Sequence, residues 1–308
     1  QIVLKRKIIL LAGPTASGKT KIAIKLAKKV NGEIINADSM QVYKDFEILS
    51  SRPSKNELRL AKHHLYGFQS SGAVFSTGKW LKLAADKINQ IAKKNKVPIL
   101  VGGTGLYFKA ITDGISKIPN IKFSDRDKIR NLHRKLGQKK FYKKLIEIDP
   151  ISKNKISSTD TQRTIRAYEV KKFTNKSIYE WAKKTKPLFK DYIIKKFFIN
   201  TPKNLLLKNI ELRITSMIKK KCIDEVIRFK KRGLKKSLSP NKIIGVQEIQ
   251  RFLSGDFDQK GLLELMNIKT RQYAKRQKTW SRAHMGDWHM IYSSNSSILL
   301  KKILNLVS

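Results

Sequence analysis

Short apolar runs and helical periodicities alternate along the first hundred residues. The run at residues 8–12 ends at a glycine and predicts a strand buried on both faces of a parallel sheet. Apolar positions at helical spacing follow, namely Ile22, Leu26, Ala27 and Val30. We expect Gly32 to close this helix, and further strands at residues 33–37 and 97–101. The alternation predicts an α/β fold with a mainly parallel sheet flanked by helices.

The character of the chain changes after about residue 117. Helical periodicity dominates residues 118–190, and a new apolar run at 192–200 predicts a strand that returns to the sheet. A long helix is expected next, ended by Gly233, and the remainder is predicted to be helical. We therefore predict a core formed by residues 1–117 and 191–308, with a mostly helical insertion at 118–190.

Charge and composition narrow the class of partner. The chain has 308 residues, and 67 Lys and Arg against 23 Asp and Glu give a net charge of +44. Such an excess favours nucleic acid, an anionic membrane or an acidic substrate, although lysines spread over a whole chain also fit compositional bias. The single cysteine, Cys222, excludes an internal disulfide framework and a Cys-rich zinc module. Since no apolar run approaches the roughly 20 residues of a membrane span, we expect no membrane partner. The single cysteine fits a reducing compartment, and we expect a cytoplasmic protein.

One motif predicts a phosphate site. It reads Gly13-Pro14-Thr15-Ala16-Ser17-Gly18-Lys19-Thr20, a full G-x-x-x-x-G-K-T pattern. Its glycines let backbone N–H groups surround an anion, Lys19 supplies a positive charge, and the Thr20 hydroxyl can hold Mg²⁺. The alternative is a Gly-rich turn with a surface lysine. A strand before the motif and a helix after it favour the phosphate site.

The chemistry next to the phosphate site is not that of a typical nucleotide hydrolase. Such enzymes have a second hydrophobic strand ending in an Mg²⁺-binding Asp, whereas the strand at 97–101 is followed by Gly102, Gly103 and Thr104. Asp38 instead follows the strand at 33–37. Because neighbouring parallel strands end at one edge of a sheet, Asp38 and Thr104 are expected to face the same crevice. Asp38 fits a metal ligand, a general base, or simply a turn or N-cap residue.

Several ordered blocks resemble the signature of bacterial tRNA dimethylallyltransferases. They span residues 8 to about 282 and follow the family order. The blocks are Gly13–Thr20, Asp38-Ser-Met-Gln-Val-Tyr43, Gly102-Gly-Thr-Gly-Leu-Tyr107, Asp160-Thr-Gln-Arg163, Gly245-Val-Gln-Glu248 and Lys275-Arg-Gln277. The resemblance implies transfer of a dimethylallyl group from dimethylallyl diphosphate to N6 of the adenosine just 3′ of the anticodon in tRNA.

The same resemblance implies roles for individual residues. Asp38 would be the general base, Thr104 would sit beside the reacting centre, and Lys19 and Arg213 would stabilise charge on the diphosphate, with Mg²⁺ held at Thr20. The phosphate loop would grip a diphosphate leaving group rather than ATP. Asn209 stands where the family helix carries a first Arg, and Val246 where an aromatic residue is common; both are departures.

The expected partners are dimethylallyl diphosphate and the tRNA anticodon stem-loop, and we expect a monomer. The residues expected to contact tRNA are Asp38, Ser39, Met40, Gln41, Thr104, Arg126, Gln162, Arg163, Arg166, Gly245, Gln247, Lys275, Arg276 and Gln277. On the helix predicted near the end of the chain, one face carries four cations, namely Arg271, Lys275, Lys278 and Arg282. This face predicts RNA-backbone binding, and its alternative is a solvated face of a helix docked through Tyr273 and Trp280.

A P-loop kinase acting on a small molecule or nucleoside is the alternative function. It would share the phosphate loop and the sheet, and would bind ATP as its nucleotide. It would have no use for a basic helix near the end of the chain. Consumption of ATP in the absence of RNA would distinguish the kinase from the transferase.

Overall fold

The computed structural model describes residues 6–235 and 237–307 and divides the chain into two compact units. The first unit comprises the chain as far as Ile111 together with the chain from Phe189 onward, and the second is Thr112–Leu188. Residues 1–5, 236 and 308 of the predicted core lie outside the described residues.

A six-stranded parallel sheet forms the centre of the first unit. Its strands are β1 (Lys7–Ala12), β2 (Gly32–Asn36), β3 (His63–His64), β4 (Val97–Gly102), β5 (Ile193–Ile199) and β6 (His289–Ile291). They lie in the order β3-β2-β4-β1-β5-β6, and each neighbouring pair is parallel. This sheet, flanked by helices, confirms the predicted α/β fold. Since β1 is flanked by β4 and β5, the chain that follows β1 emerges in the middle of the sheet edge.

The apolar runs are continuous because helices cover both faces of the sheet. Successive residues of a strand point to opposite faces. Ile8 and Leu10 accordingly belong to one fully buried cluster, and Ile9 and Leu11 belong to another. Burial on both sides explains why β1 lacks the polar alternation of a half-exposed strand.

Nine helices of the first unit are described. They are α1 (Lys19–Lys29), α2 (Lys55–Leu60), α3 (Thr77–Lys93), α4 (Gly105–Asp113), α8 (Lys203–Lys219), α9 (Cys222–Lys231), α10 (Val246–Leu253), α11 (Gln259–His284) and α12 (Ser296–Val307). The last residues of α4 lie past the boundary between the units. A third apolar cluster joins α8, α9, α10 and α11 to the loop that follows β2.

The second unit is helical. Its helices are α5 (Phe123–Ile148), α6 (Thr161–Thr174) and α7 (Ile178–Lys183). Gly137 adopts a left-handed conformation inside α5 and divides it into two segments. Phe141, Leu145 and Tyr168 lie in a small buried cluster that holds these helices together.

Three predictions about local structure were wrong. The predicted long helix is two helices, because Lys221 adopts a φ of 62° between α8 and α9. Asn31, with a φ of 51°, makes the turn after α1, whereas Gly32 already belongs to β2. The end of the chain also contains β6, whose three residues are too few for a period to show.

Gly102, the last residue of β4, has no room for a side chain. A Cβ there would lie 2.0 Å from the backbone oxygen of Ala37. We expect Gly102→Ala to lower the free energy of unfolding by about 3 kcal/mol, because the backbone after β2 must move away. Chemical denaturation would measure the loss. Gly286→Ala is the matched control, since its Cβ would meet nothing within 4 Å. Equal stability of the two variants would contradict this close approach.

Candidate active site

The phosphate loop connects the end of β1 to the start of α1 in the middle of the sheet edge. Gly18 adopts a φ of 82° immediately before the helix, and Ala16 has a φ of 63°. These left-handed residues curl the backbone around the amino end of α1, where unpaired N–H groups and the helix dipole favour an anion. Lys19 folds over the loop, with Nζ donating to the Pro14 carbonyl at 2.6 Å. The local geometry is that of an anion-binding cradle.

Helix α8 supports this cradle from one side. Arg213 Nη1 donates to Thr15 Oγ1 at 3.0 Å, and Asn209 Nδ2 donates to the Ala16 carbonyl at 3.1 Å. The departure at Asn209 therefore has a structural role, since its short amide holds the loop directly. Arg213 adds a second cation beside Lys19.

Burial and the second cation change the acidity of Lys19. Burial and, to a lesser extent, the Arg213 guanidinium lower the pKa of the Lys19 ammonium to about 7, although Asp38 acts in the opposite direction. Bringing an anion into the cradle would favour the charged ammonium. The loop is therefore suited to a strongly negative ligand.

Asp38 lies just past β2, and Asn36 fixes the backbone around it. Asn36 is fully buried; its Oδ1 accepts the Asp38 N–H at 2.9 Å, and its Nδ2 donates to the Asp38 carbonyl at 3.0 Å. The Met40 N–H donates to Asp38 Oδ1 at 2.9 Å. The Asp38 carboxyl thus closes a turn, as predicted by its interpretation as a turn residue. This turn also fixes the orientation of the carboxyl. A buried polar residue at the end of an apolar strand, such as Asn36, is a sequence pattern that could have revealed this support.

The electrostatic surroundings of Asp38 favour a proton acceptor at neutral pH. Burial raises the pKa of its carboxyl above the usual range. The N–H groups of Met40 and Gln41 and the positive charges of Lys19 and Arg213 oppose this shift. A carboxylate of raised pKa close to two cations combines basicity with a site suited to negative charge.

Thr104 joins the edge of β4 to the segment containing Asp38. Its Oγ1 accepts the Ser39 N–H at 2.9 Å and donates to Ser39 Oγ at 3.2 Å. The adjacency of β2, β4 and β1 places Asp38, Thr104 and the phosphate loop at one edge of the sheet.

An apolar cavity of about 320 Å³ opens beside Gly13, Ser39 and Thr104. Its apolar and aromatic lining includes Leu106, Phe108, Phe198, Tyr273, Trp280 and Met285. These residues come from α4, β5, α11 and the turn after α11. Phe108, Phe198 and Met285 could not be predicted as site residues, because in the sequence each is an ordinary apolar residue and only the fold brings them together. A small apolar group attached to a bound anion fits this arrangement.

Helix α11 presents two different faces. Arg276 and Gln277 line the apolar cavity, whereas the four predicted cations line a separate groove of about 840 Å³. These cations are Arg271, Lys275, Lys278 and Arg282, and Lys203 and Tyr292 also border the groove. The groove combines positive charge with an aromatic ring, as RNA-binding surfaces do.

Four of the predicted tRNA contacts belong to the second unit. Arg126 and Arg166 both pair with Glu169, at 3.3 and 3.2 Å, and Glu169 is only 1% exposed. Arg163 pairs with Asp160 at 3.4 Å, and Gln162 lies on the same first turn of α6. This unit therefore carries its own cluster of guanidinium groups.

Other predicted contacts make bonds within the protein. Gln41 Nε2 donates to the carbonyls of Ser50 and Ser51, and Gln247 Nε2 donates to the Asn241 carbonyl. Gly245 begins α10 with a φ of 104°, and a Cβ there would lie 2.2 Å from Leu49. The glycine is therefore required by packing.

The donor set at the cradle fits Mg²⁺. The described part of the chain holds no cluster of three or more His, Cys, Asp or Glu residues able to bind a metal ion. Thr20, at the start of α1, offers a hydroxyl oxygen. Mg²⁺ characteristically takes one or two protein oxygens and completes its shell with water and substrate phosphates. Thr20 together with a bound diphosphate matches that preference.

A phosphate loop, a carboxylate and an apolar cavity at the edge of a parallel sheet define the class of this protein. It is an α/β protein with a phosphate-loop motif, and an apolar cavity lies beside that loop. The IPP transferase family model matches residues 41–284. The chain belongs to the IPP transferase family.

Relatives with named functions agree with this membership. The tRNA dimethylallyltransferase of Pelagibacter ubique is 52% identical over 92% of this chain and 90% of its own length. That of Rickettsia felis is 40% identical over 98% of both chains. The crystal structure of a Staphylococcus epidermidis tRNA isopentenylpyrophosphate transferase aligns with a TM-score of 0.70 at 28% identity, covering 98% of this chain and 99% of that one. The structure of a eukaryotic dimethylallyltransferase acting on tRNA aligns with a TM-score of 0.80 at 25% identity, covering 95% of this chain and 75% of that one.

Proposed function

We propose that this enzyme transfers a dimethylallyl group from dimethylallyl diphosphate to N6 of the adenosine 3′-adjacent to the anticodon in tRNA. The observation that carries the proposal is the apolar cavity lined by Gly13 of the phosphate loop, by Thr104 and by Ser39, the residue that follows Asp38. One end of this site suits a diphosphate, and the other suits an allyl chain and a base.

The proposed reaction is a substitution at the allylic carbon that bears the diphosphate. The N6 lone pair forms the new C–N bond, the C–O bond to the diphosphate breaks, and the bonding electrons leave with the diphosphate. Asp38 accepts the proton that N6 loses. Because that lone pair is delocalised into the ring, a positioned carboxylate contributes as a general base. Lys19 and Arg213 stabilise the charge that builds on the leaving group.

The cavity contributes positioning and exclusion of water. Tyr273, Trp280 and Phe198 surround the space where the allyl chain would lie. Holding the reacting atoms together supplies much of the rate enhancement in such reactions. Mg²⁺ at Thr20, when bound, would neutralise charge on the diphosphate. The target adenosine must leave the anticodon-loop stack to enter the cavity.

The lining of the cavity favours a prenyl donor over the alternative, a kinase. Aromatic and aliphatic side chains form most of the wall beside the cradle.

No helix in the described part of the chain is long and apolar enough to cross a membrane. We place the reaction in the cytoplasm on the basis of the tRNA substrate.

A transfer assay tests the proposal. Purified protein, Mg²⁺ and radiolabelled dimethylallyl diphosphate are incubated with unmodified tRNA, and labelled ATP without RNA is followed in parallel. We expect label in the tRNA and none when the target adenosine is replaced. Formation of ADP from ATP without label in tRNA would favour the kinase instead.

Lys275 on the basic face of α11 and the adjacent Arg276, which borders the apolar cavity, predict a salt-dependent contribution to tRNA binding. We expect the double variant Lys275→Ala, Arg276→Ala to bind tRNA more weakly. The negative slope of log K against log salt should become less steep by about two, because two phosphate contacts are lost. Binding titrations at several salt concentrations would measure both effects. Lys82→Ala with Lys93→Ala on α3 is the control for removal of two charges. An unchanged slope in the α11 variant would place the RNA elsewhere.

A further inference from the structure

Gln277 joins the phosphate loop to the turn that follows β4. Its Oε1 accepts the Thr15 N–H at 2.8 Å, and its Nε2 donates to the Gly103 carbonyl at 3.0 Å. The residue is only 9% exposed. The amide oxygen thus faces a backbone donor, and the amide nitrogen faces a backbone acceptor.

The two backbone groups belong to opposite halves of the site. Thr15 lies in the phosphate loop, where its hydroxyl also accepts from Arg213. Gly103 immediately precedes Thr104, which holds the segment containing Asp38 through Ser39. One side chain therefore connects the part of the site that holds the leaving group to the part that holds the acceptor.

Helix α11 presses directly on the turn after β4. A Cβ on Gly103 would lie 2.1 Å from Gln277 Nε2, and a Cβ on Gly105 would lie 2.2 Å from the Trp280 ring. The glycines of this turn permit the close approach of α11. Because so little space remains, the turn and the helix cannot shift independently.

We propose that Gln277 is a positioning residue, which holds the phosphate loop and Thr104 in the relative geometry required for transfer. This inference rests on the proposed function and replaces the expectation that Gln277 contacts tRNA. Its amide acts through Thr15 and Gly103, whereas the neighbouring Lys275 and Arg276 remain available for RNA. Helix α11 thereby carries an RNA-binding surface and a support for the diphosphate site on the same element.

The first test replaces Gln277 with methionine, which keeps the length of the side chain and removes both hydrogen bonds. We expect kcat to fall by about 10- to 100-fold, because a small misplacement of the reacting groups lowers the rate by factors of this size. The KM for dimethylallyl diphosphate should rise by about 5- to 10-fold, while the KM for tRNA stays unchanged. Gln259→Ala, an exposed glutamine on the first turn of the same helix, is the control.

A second variant separates positioning from folding. In Gln277→Glu, the ionised carboxylate still accepts from Thr15 but cannot donate to Gly103; the protonated form can do both. We expect its activity relative to wild type to rise as the pH falls. A side chain that only fills space would give a constant ratio.

Binding of inorganic pyrophosphate without RNA supplies a readout that does not depend on transfer. Calorimetry should show about 5- to 10-fold weaker binding to Gln277→Met than to wild type. If Gln277→Met binds pyrophosphate more weakly but the wild-type enzyme transfers no label to tRNA, the proposed function is refuted. The conclusion that Gln277 supports the phosphate loop would still hold. Normal pyrophosphate binding, or a change confined to the KM for tRNA, would overturn the positioning role.

Discussion

Replacement of Asp38 by asparagine is expected to lower the rate of dimethylallyl transfer by about 10²–10⁴-fold without weakening tRNA binding. Asparagine retains an oxygen that can accept the Met40 N–H, so the turn is preserved. It cannot accept a proton from N6. Single-turnover transfer and a separate tRNA-binding titration would measure the two effects.

The pH dependence of the same variant tests the role of the carboxyl. Because burial raises the pKa of Asp38 and the base must be ionised, the wild-type rate should increase as the pH rises through that pKa. Asp38→Asn should lose this acid limb. Asp86→Asn, an exposed carboxyl of α3, should retain both rate and limb. Near-normal turnover by Asp38→Asn would exclude it as the general base.

Replacement of Lys19 by methionine is expected to lower kcat/KM for dimethylallyl diphosphate by about 10²–10³-fold. The ammonium lies over the phosphate loop, and in the proposed reaction it stabilises charge on the leaving group more than on the bound donor. Lys21→Met on the adjacent exposed turn of α1 is the matched control. Steady-state kinetics at saturating tRNA would measure the difference.

The acidity of Lys19 adds a pH signature. With a pKa of about 7, the ammonium of the free enzyme is charged below that pH and loses its proton above it. The affinity for inorganic pyrophosphate should therefore fall more steeply with rising pH in wild type than in Lys19→Met. Comparing the two proteins at each pH cancels the titration of pyrophosphate itself. Parallel pH profiles would show that Lys19 does not provide the charge.

The sequence predicted those parts of the fold that depend on local patterns. The continuous apolar run of β1 and the glycines after it could be recognised from consecutive residues of the chain alone. Because the carboxyl ends of neighbouring parallel strands meet at one edge of a sheet, the proximity of Asp38 and Thr104 could be anticipated. The two-residue β3 and the three-residue β6 are too short for a period to be recognised.

The rest of the site depends on contacts between distant segments. The apolar cavity uses Phe108, Phe198 and Met285, whose sequence surroundings are those of ordinary core residues. The proposed role of Gln277 depends on hydrogen bonds to residues 262 and 174 positions away in the chain. No local spacing distinguishes such a buried glutamine from one that reads a base. Candidate reacting groups could therefore be predicted from the sequence, whereas the residues that support them could not.

The most direct test of transfer to N6 compares two synthetic anticodon stem-loops that differ only at the target nucleotide. One carries adenosine, and the other carries purine riboside, which lacks the exocyclic amine. With radiolabelled dimethylallyl diphosphate, we expect label in the adenosine loop alone, with one diphosphate released for each group transferred. Equal labelling of both loops, or release of diphosphate without any labelled RNA, would contradict transfer to N6.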